Sequence, residues 1–432
     1  MKRTLACALV LSAAATLAAG LPAPSRQAGA ATRPASAPAG MLLKDGDVVA
    51  LCGDSITSSG AYPGFIELYQ WMCCPQPKVT LMNFGRWGET AAQFPPVMDK
   101  DVLPAKPTVA LICYGMNNCR SGRVMSDPAA AGWGDGQIMT VVKKFKDAGV
   151  RLVVLASPGC VDSTHFTLSQ NAPPVQAAIA ATQKNLSLLR DSAKRVAERE
   201  GLVFADMHTP MVEVMAKAKA KYGPDFAFAG GKGDGVHPGQ AGHLVMTWVY
   251  LKALGYRGDV GTITLDLAKD QAEATEGHQV IAAKGGAVEV ESARYPFCFL
   301  ANPYNAKDFT GPGSTRSVAD LFPFNDDLNR LLLVVRGAKS KRLKVTWGGQ
   351  SKEFDAAALE RGVNLAAEFL DNPFCPQLAK IAAALGERNR CRPWLRQPQF
   401  KDDPNMAKRL ERASENMKVV PVKHTITVTD AV

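Results

Sequence analysis

The sequence predicts an α/β fold over residues 41–256, with a mostly parallel sheet and helices on both faces, followed by a β-rich module with a helical tail over residues 257–432. From residue 47, short apolar runs alternate with segments of helical length, as in parallel sheets covered by helices. After residue 256 the long helical segments stop, and strand-like runs follow one another between turns of Gly, Lys and Ser. A chain of 432 residues, 47% hydrophobic and 21% charged, is long enough for two such parts.

The first part contains five runs rich in β-branched and apolar residues, which predict strands at 47–52, 78–84, 108–114, 151–157 and 202–205. Between them, the segments 136–148 and 175–200 have helical length. The unit ends with a helix predicted at 239–254, where apolar residues recur at helical spacing.

The second part has a different pattern of predicted secondary structure. Its predicted strands have no long helices between them, so we expect antiparallel pairing; they lie at 262–267, 279–283, 287–291, 331–335 and 343–347. A helical region is predicted from about residue 356 to 416, and a last strand at 419–428. The apolar segment 295–300 needs a covering surface, and the join near residue 256 is short, so we expect this module to pack on the first part.

The N-terminus predicts export. Lys2 and Arg3 precede an apolar stretch from Leu5 to Ala19, and residues 21–40 are mostly Ala, Pro, Gly and Ser. This pattern is typical of a signal peptide and a linker, which together form residues 1–40. The apolar stretch is short for a membrane span, so we expect a secreted or periplasmic mature protein without one. An uncleaved N-terminal anchor is the alternative.

Charge and cysteine content exclude several classes of protein. Part of the net charge of +10 lies in the first 40 residues, and no Lys/Arg block resembles a nucleic-acid patch, so no nucleic-acid partner is expected. No Cys/His set has zinc-site spacing, so no metal site is expected. Cys52 and Cys113 lie in apolar runs and are predicted to be buried. Cys375 and Cys391 lie in the tail and are candidates for a disulfide.

A serine follows the first predicted strand directly, in Gly-Asp-Ser-Ile-Thr at residues 53–57. The carboxyl ends of strands hold the ligands of α/β folds, which makes Ser55 a candidate nucleophile, although this tripeptide is also an ordinary turn or helix cap. Asp234 lies three residues before His237, and such a carboxylate orients an imidazole that acts as general base. The alternative for this motif is an ordinary surface turn that contains a histidine without a catalytic role.

Two further segments have residue types that an acyl-transfer site needs. Gly88 follows the second strand and Asn117 the third, and a backbone N–H and a side-chain amide there suit an oxyanion hole. Each alone is also an ordinary loop residue. All pieces in this order, three of them directly after predicted strands, favour a hydrolase site.

Other candidates have weaker support. His243 begins the closing helix and His208 precedes a helix-start pattern, so both are expected to be structural. Trp87 and Trp133 are predicted in loops, where they would stack on sugar rings or simply pack. Arg86, beside Gly88, is a candidate substrate contact.

Gly53-Asp54-Ser55, Gly88, Gly115-x-Asn117 and Asp234-x-x-His237 together resemble blocks I, II, III and V of the SGNH (GDSL-type) esterases and lipases, over about residues 41–256. The resemblance implies a flavodoxin-like α/β/α sandwich, no metal or other cofactor, and ester hydrolysis through an acyl-enzyme.

The same resemblance assigns roles to these residues. It makes Ser55 the nucleophile, His237 its base and Asp234 the residue that orients the base. The backbone N–H groups of Ser55 and Gly88 and the amide of Asn117 become the oxyanion donors. Asn118 departs from the family, which usually has Asp at that position, and this puts the geometry of its loop in doubt.

The expected function is therefore a secreted serine carboxylic-ester hydrolase acting on a small-molecule or polysaccharide ester, with an acetylated carbohydrate as the first candidate. A lipase, lysophospholipase or thioesterase of the same fold is one alternative. A non-catalytic carbohydrate-binding protein is another, and the complete Ser55, Asp234 and His237 set argues against it.

Overall fold

A computed structural model describes residues 40–119, 123–166, 175–230, 234–300, 313–395 and 403–431. Those after position 40 belong to one compact unit. The predicted signal peptide and linker lie outside the described residues, apart from residue 40. Within the part of the chain described here, no helix is both long and apolar enough to cross a membrane.

The first part is built on five parallel strands in the order β2-β1-β3-β4-β5. Their bounds are β1 Val48–Gly53, β2 Thr80–Asn83, β3 Val109–Cys113, β4 Leu152–Ala156 and β5 Val203–Ala205. This is the flavodoxin-like order, and it confirms the predicted fold class. The order reverses between β1 and β3, and ligands of such sheets bind at the carboxyl ends beside this switch point.

Strands β1, β3 and β4 are buried along almost their whole length, which explains their continuous apolar sequences. The helices of this part are α1 Ser55–Ser58, α2 Ala61–Met72, α3 Pro95–Val97, α4 Asp127–Gly132, α5 Met139–Asp147, α6 Val175–Glu200, α7 His208–Tyr222 and α8 Gln240–Ala253. Short π and 3₁₀ turns lie at Met98–Val102, Leu103–Ala105, Met116–Asn118 and Trp133–Ile138.

The second part forms two sheets, with the orders β13-β10-β6-β7 and β12-β11-β14-β9-β8. Its strands are β6 Asp259–Asp266, β7 Gln271–Ala274, β8 His278–Lys284, β9 Ala287–Ser292, β10 Arg330–Arg336, β11 Arg342–Trp347, β12 Gln350–Asp355, β13 Val363–Asn364 and β14 Val422–Asp430. Its helices are α9 Phe324–Leu328, α10 Ala356–Arg361, α11 Leu365–Glu368, α12 Cys375–Leu395 and α13 Pro404–Asn416, with a 3₁₀ turn at Thr315–Val318.

The expected antiparallel pairing is confirmed for all but one of the strand pairs described in this module, and the disulfide candidate in its tail is wrong. Strand β10 pairs with β6 in parallel, because the chain leaves the first sheet, builds β8 and β9, and returns through a crossover long enough to restore the strand direction. Cys375 and Cys391 do not lie in a loop-rich tail. Both belong to α12, where their separation along the helix axis is about 24 Å, so they cannot bridge.

The module packs on α2, the first long helix after Ser55. The Tyr295 N–H donates to the Met72 carbonyl at 2.8 Å, and the Tyr69 hydroxyl donates to the Leu328 carbonyl at 2.6 Å. The Phe297 ring meets the Phe65 ring edge-on, with centroids 6.0 Å apart. The apolar segment 295–300 is thus buried, as its sequence requires.

Helix α12 covers another part of α2. The Arg388 guanidinium pairs with Glu67 and lies 4.9 Å from the centre of the Trp71 ring. Both charged side chains are 7% exposed. Replacing either residue by an apolar one would leave the other as a buried charge without its partner, so the pair specifies how α12 docks on α2.

Two buried histidines connect the sheets of the module. His278 Nε2 lies 3.1 Å from the Val260 carbonyl and its Nδ1 lies 2.8 Å from Ser292 Oγ. Ser292 Oγ lies 3.0 Å from His424 Nε2, and Trp347 Nε1 donates to His424 Nδ1 at 3.2 Å. One proton arrangement satisfies every atom: Trp347 to His424, His424 to Ser292, Ser292 to His278, and His278 to Val260. Both imidazoles are neutral in it.

We predict that this network makes the fold acid-sensitive. Burial lowers the pKa of His424 from 6.5 to about 4 and also lowers the pKa of His278. Below pH 6.5 the unfolded chain binds these protons first, so stability is complete above that pH and is lost as the pH falls towards 4. His424 alone accounts for about 3 kcal/mol of this loss.

His424→Gln tests this, because an amide keeps a donor and an acceptor but does not titrate. The urea unfolding free energy, measured from pH 7 to pH 4, should fall less steeply for this variant than for the wild type. His165→Gln, on a partly exposed histidine, should leave the slope unchanged. Equal slopes for wild type and His424→Gln would contradict the assignment.

Candidate active site

The candidate nucleophile lies at the carboxyl end of β1. Gly53 ends the strand, and a Cβ there would collide with the Cys113 carbonyl and with Thr57 Oγ1, so this close approach requires glycine. The Asp54 carboxylate caps the next turn by accepting the Ile56 N–H at 3.0 Å. Ser55 is the first residue of α1 and is 7% exposed. The turn therefore holds the serine at the sheet edge in one orientation.

Ser55, His237 and Asp234 form a continuous hydrogen-bonded set. Ser55 Oγ lies 2.8 Å from His237 Nε2, and His237 Nδ1 lies 3.0 Å from Asp234 Oδ2. Because a carboxylate only accepts, Nδ1 carries the proton and donates it, which leaves Nε2 to accept the serine hydroxyl. This tautomer is the one that a general base facing a serine requires. The structure thus brings together the three residues that the sequence selects.

The loop that contains His237 is fixed by its own hydrogen bonds and by close packing on residues 162–166. Asp234 Oδ1 also accepts the Val236 N–H at 3.1 Å, so the carboxylate cannot rotate freely. Gly235 has φ +67°, and a Cβ there would overlap the Asp162 carbonyl and the Phe166 N–H. The Asp162 N–H donates to the Gly235 carbonyl at 2.7 Å. Neither Asp162 nor the requirement for glycine at 235 is predictable from the sequence, since no local motif marks Asp162 as a neighbour of this loop.

The loops after β2 and β3 are tied to each other and to β1. The Arg86 N–H donates to the Gly53 carbonyl at 3.0 Å. Asn117 Nδ2 donates to the Glu89 carbonyl at 3.0 Å, which uses one of its two hydrogens and leaves the other. Gly88 lies between these anchored residues, and a Cβ on it would meet nothing within 4 Å, so its backbone borders open space. The oxyanion roles of Gly88 and Asn117 remain predictions.

Glu89 is a buried carboxylate that sequence reasoning missed. It is 8% exposed, and burial raises its pKa above the usual range. The Tyr114 hydroxyl donates to its Oε2 at 3.0 Å, and Arg86 Nε lies 3.8 Å from its Oε1. The residue supports both loops of the site. A signal existed in the sequence, since Arg86 precedes Glu89 by three residues and allows a local ion pair.

The two candidate tryptophans have opposite environments. Trp87 is 72% exposed, and its ring centroid lies 5.9 Å from that of His237. Trp133 is 3% exposed, so the prediction that it stacks on sugars from a loop is wrong. The Trp133–Ile138 segment continues the helical path from α4 into α5, which turns this indole into the core. The Arg86 side chain is 54% exposed, and its contact with substrate remains a prediction.

The other histidines and Asn118 occupy structural positions. His243 is buried and its ring stacks on Tyr62 with centroids 6.1 Å apart; burial lowers its pKa to about 3. His208 is buried, with its Nδ1 2.8 Å from the Gly159 carbonyl. Asn118 donates its amide to Gln137 Oε1 at 3.3 Å. In the described ranges, no group of three or more His, Cys, Asp or Glu is placed to hold a metal ion.

Asp54 places a second negative charge near the base. It is 3% exposed, and burial raises the pKa of its carboxyl from 3.8 to about 6, against the attraction of His237. At neutral pH the ionised form therefore costs stability. The same charge attracts the imidazolium that forms when His237 accepts the serine proton during catalysis.

The GDSL-like lipase/acylhydrolase family matches residues 51–245, a range that contains Ser55, Asp234 and His237. The match confirms the resemblance inferred from the four sequence blocks. No curated protein matches the chain.

Solved structures extend the comparison to the fold. BT4096, a gut microbial diltiazem-metabolizing enzyme, has a TM-score of 0.65 and 23% identity, covering 89% of this chain and 98% of its own. At this identity the likeness concerns the fold, and it reaches beyond the first part into the C-terminal module. Axe2, an acetylxylan esterase from Geobacillus stearothermophilus, has a TM-score of 0.39 and 20% identity, covering 50% of this chain and 97% of its own. LAE5, an α/β hydrolase enzyme from the metagenome of Lake Arreo, Spain, scores 0.38 at 21% identity, with 50% and 98% covered.

We predict that Asp54→Asn stabilises the protein at high pH and slows catalysis. Asparagine keeps the helix cap but removes the charge. The folded pKa of Asp54 lies about two units above its unfolded value, so its stability contribution is lost as the pH rises from 4 to 6. At pH 8 the variant should gain about 1–3 kcal/mol in unfolding free energy, and near pH 4 the gain should vanish.

The same variant should have a lower kcat, because His237 loses a stabilising charge in the transition state. Asp147→Asn, on an exposed carboxylate of α5, serves as the control and should change neither quantity. A gain in stability that is equal at pH 4 and pH 8 would contradict the raised pKa of Asp54, and an unchanged kcat would contradict its role beside His237.

Proposed function

We propose that this serine ester hydrolase, whose residues 51–245 match the GDSL-like lipase/acylhydrolase family, is exported and removes acetyl groups from a carbohydrate. The observation that carries the reaction is the Ser55–His237–Asp234 hydrogen-bonded set, with Oγ and Nε2 2.8 Å apart. Export rests on the N-terminal sequence, where two basic residues precede an apolar stretch.

In the proposed reaction, Ser55 Oγ attacks the ester carbonyl carbon while His237 Nε2 takes the hydroxyl proton. The Asp234 carboxylate, already bonded to Nδ1, stabilises the imidazolium that forms. Collapse of the tetrahedral intermediate breaks the bond to the alcohol oxygen, which receives the proton from His237. Water then attacks the acyl carbon while His237 Nε2 takes one of its protons. Collapse of this second intermediate breaks the bond to Ser55 Oγ, which recovers a proton from His237, and the acid leaves.

Negative charge develops on the carbonyl oxygen during both attacks. We assign its stabilisation to the backbone N–H groups of Ser55 and Gly88 and to the Asn117 amide. The support for this assignment is the Asn117–Glu89 hydrogen bond, which holds the amide at the loop of Gly88. Loss of one such donor typically slows turnover by about 10²–10³-fold.

The support for a carbohydrate substrate is the exposure of Trp87. An indole that is 72% exposed beside the base offers a flat apolar face where the alcohol part of the ester enters. Sugar rings present apolar C–H faces that stack on such an indole. Arg86, which is half exposed, supplies N–H donors for hydroxyl groups next to this platform.

Trp87→Ala tests the platform. We expect kcat/KM on acetylated xylo-oligosaccharides to fall about tenfold, the effect of losing one stacking contact, with kcat/KM on ethyl acetate nearly unchanged because that alcohol has no ring. Trp87→Phe should restore part of the loss. Tyr222→Ala, which removes an exposed aromatic ring stacked on Phe226, is the matched control.

Ser55→Ala is the blank in these assays and should show no enzymatic turnover. Equal losses on both substrates in Trp87→Ala would remove the sugar platform. Faster hydrolysis of octanoyl than of acetyl nitrophenyl esters by the wild type would favour a lipase or thioesterase over a deacetylase.

A further inference from the structure

Two cysteines of the C-terminal module, Cys298 and Cys375, lie near each other in the segments that cover α2. Cys298 lies in the buried segment that covers α2, and Cys375 is the first residue of α12. Cys298 Sγ lies 3.6 Å from Asn372 Oδ1, while the Cys375 N–H donates to the Asn372 carbonyl at 3.1 Å. The Cys298 side chain also forms a hydrogen bond with that of Cys375. Two segments that are distant in the sequence therefore bring their cysteines together beside Asn372.

These two thiols differ in reactivity. The hydrogen bond from Cys298 lowers the pKa of Cys375, with further help from the Asn372 backbone and the charge of Arg316. The N-terminus of α12 also favours a thiolate there. Burial raises the pKa of Cys298, which is 1% exposed, whereas Cys375 is 8% exposed. Cys375 is thus the more acidic and the more exposed of the two thiols, and Cys298 is its internal partner.

We propose that Cys298 and Cys375 are joined by a disulfide that links α12 to the segment covering α2. The oxidant is a second disulfide, such as that of oxidised glutathione. The Cys375 thiolate attacks one of its sulfur atoms, forming a mixed disulfide and releasing one glutathione thiolate. Cys298 then loses its proton and attacks Cys375 Sγ, releasing the second. The protein loses two electrons and two protons, and the oxidant becomes two thiols.

The position of the bond gives it a structural consequence. Segment 295–300 packs on α2 through Phe297, and α12 packs on α2 through Arg388. A covalent link between them closes a long loop in the unfolded chain, which stabilises the folded state. In an oxidising compartment the link would hold both covers of α2 in place.

Peptide mapping of the full chain tests the pairing directly. The purified protein is equilibrated with oxidised glutathione, its free thiols are blocked with N-ethylmaleimide in denaturant, and it is digested without reduction. Mass spectrometry should find Cys298 and Cys375 in one linked peptide pair, with Cys52 and Cys113 carrying the label. Label on both Cys298 and Cys375, or a link from Cys298 to the neighbouring Cys73, would overturn the proposal.

Thermal melts supply a second readout. Dithiothreitol should lower the Tm of the oxidised wild type by about 5–10 °C and leave the Tm of Cys375→Ser unchanged. Cys160→Ser, which removes a buried thiol elsewhere, should keep the full shift. Should Cys375→Ser fail to fold, the mapping of the wild type decides alone. Equal shifts in the wild type and in Cys375→Ser would contradict the link.

Discussion

The hydrogen bond between Ser55 and His237 joins residues separated by 182 positions, and it forms only if two loops meet at one edge of the sheet. The parallel sheet makes this possible, since the carboxyl ends of all its strands point to the same edge and the switch point beside β1 leaves room for the loops. Gly53 and Gly235 then allow close approaches that any side chain would block. The chemistry therefore depends on backbone packing at two glycines as much as on the reactive groups.

The C-terminal module extends this support to α2. That helix follows the nucleophile by a few residues and is covered by Phe297 on one side and Arg388 on another. A shift of α2 would move Tyr62, whose hydroxyl lies 2.8 Å from Thr57 Oγ1 in the nucleophile turn. Packing of the module on α2 therefore stabilises the turn that holds Ser55. This gives a physical reason for the two parts to form one compact unit.

Much of this could be predicted from the sequence, because strand–helix alternation and motifs after strands are local signals. The wrong expectations concern distant contacts. The sequence predicts a loop at Trp133, yet the turn there stays helical and buries the indole. The parallel pairing of β6 with β10 depends on where the returning chain docks, and no residue in either strand encodes it. The buried carboxylate of Glu89 depends on Tyr114, which the sequence alone does not bring near.

The central claim is that Ser55 is a nucleophile activated by His237. Covalent labelling with a fluorophosphonate, followed by peptide mass spectrometry, tests it most directly, because the reagent phosphonylates an activated serine. The account predicts one adduct, on Ser55, at a rate that falls by about 10³-fold or more in His237→Gln. An adduct on another serine, or labelling of His237→Gln at the wild-type rate, would contradict it.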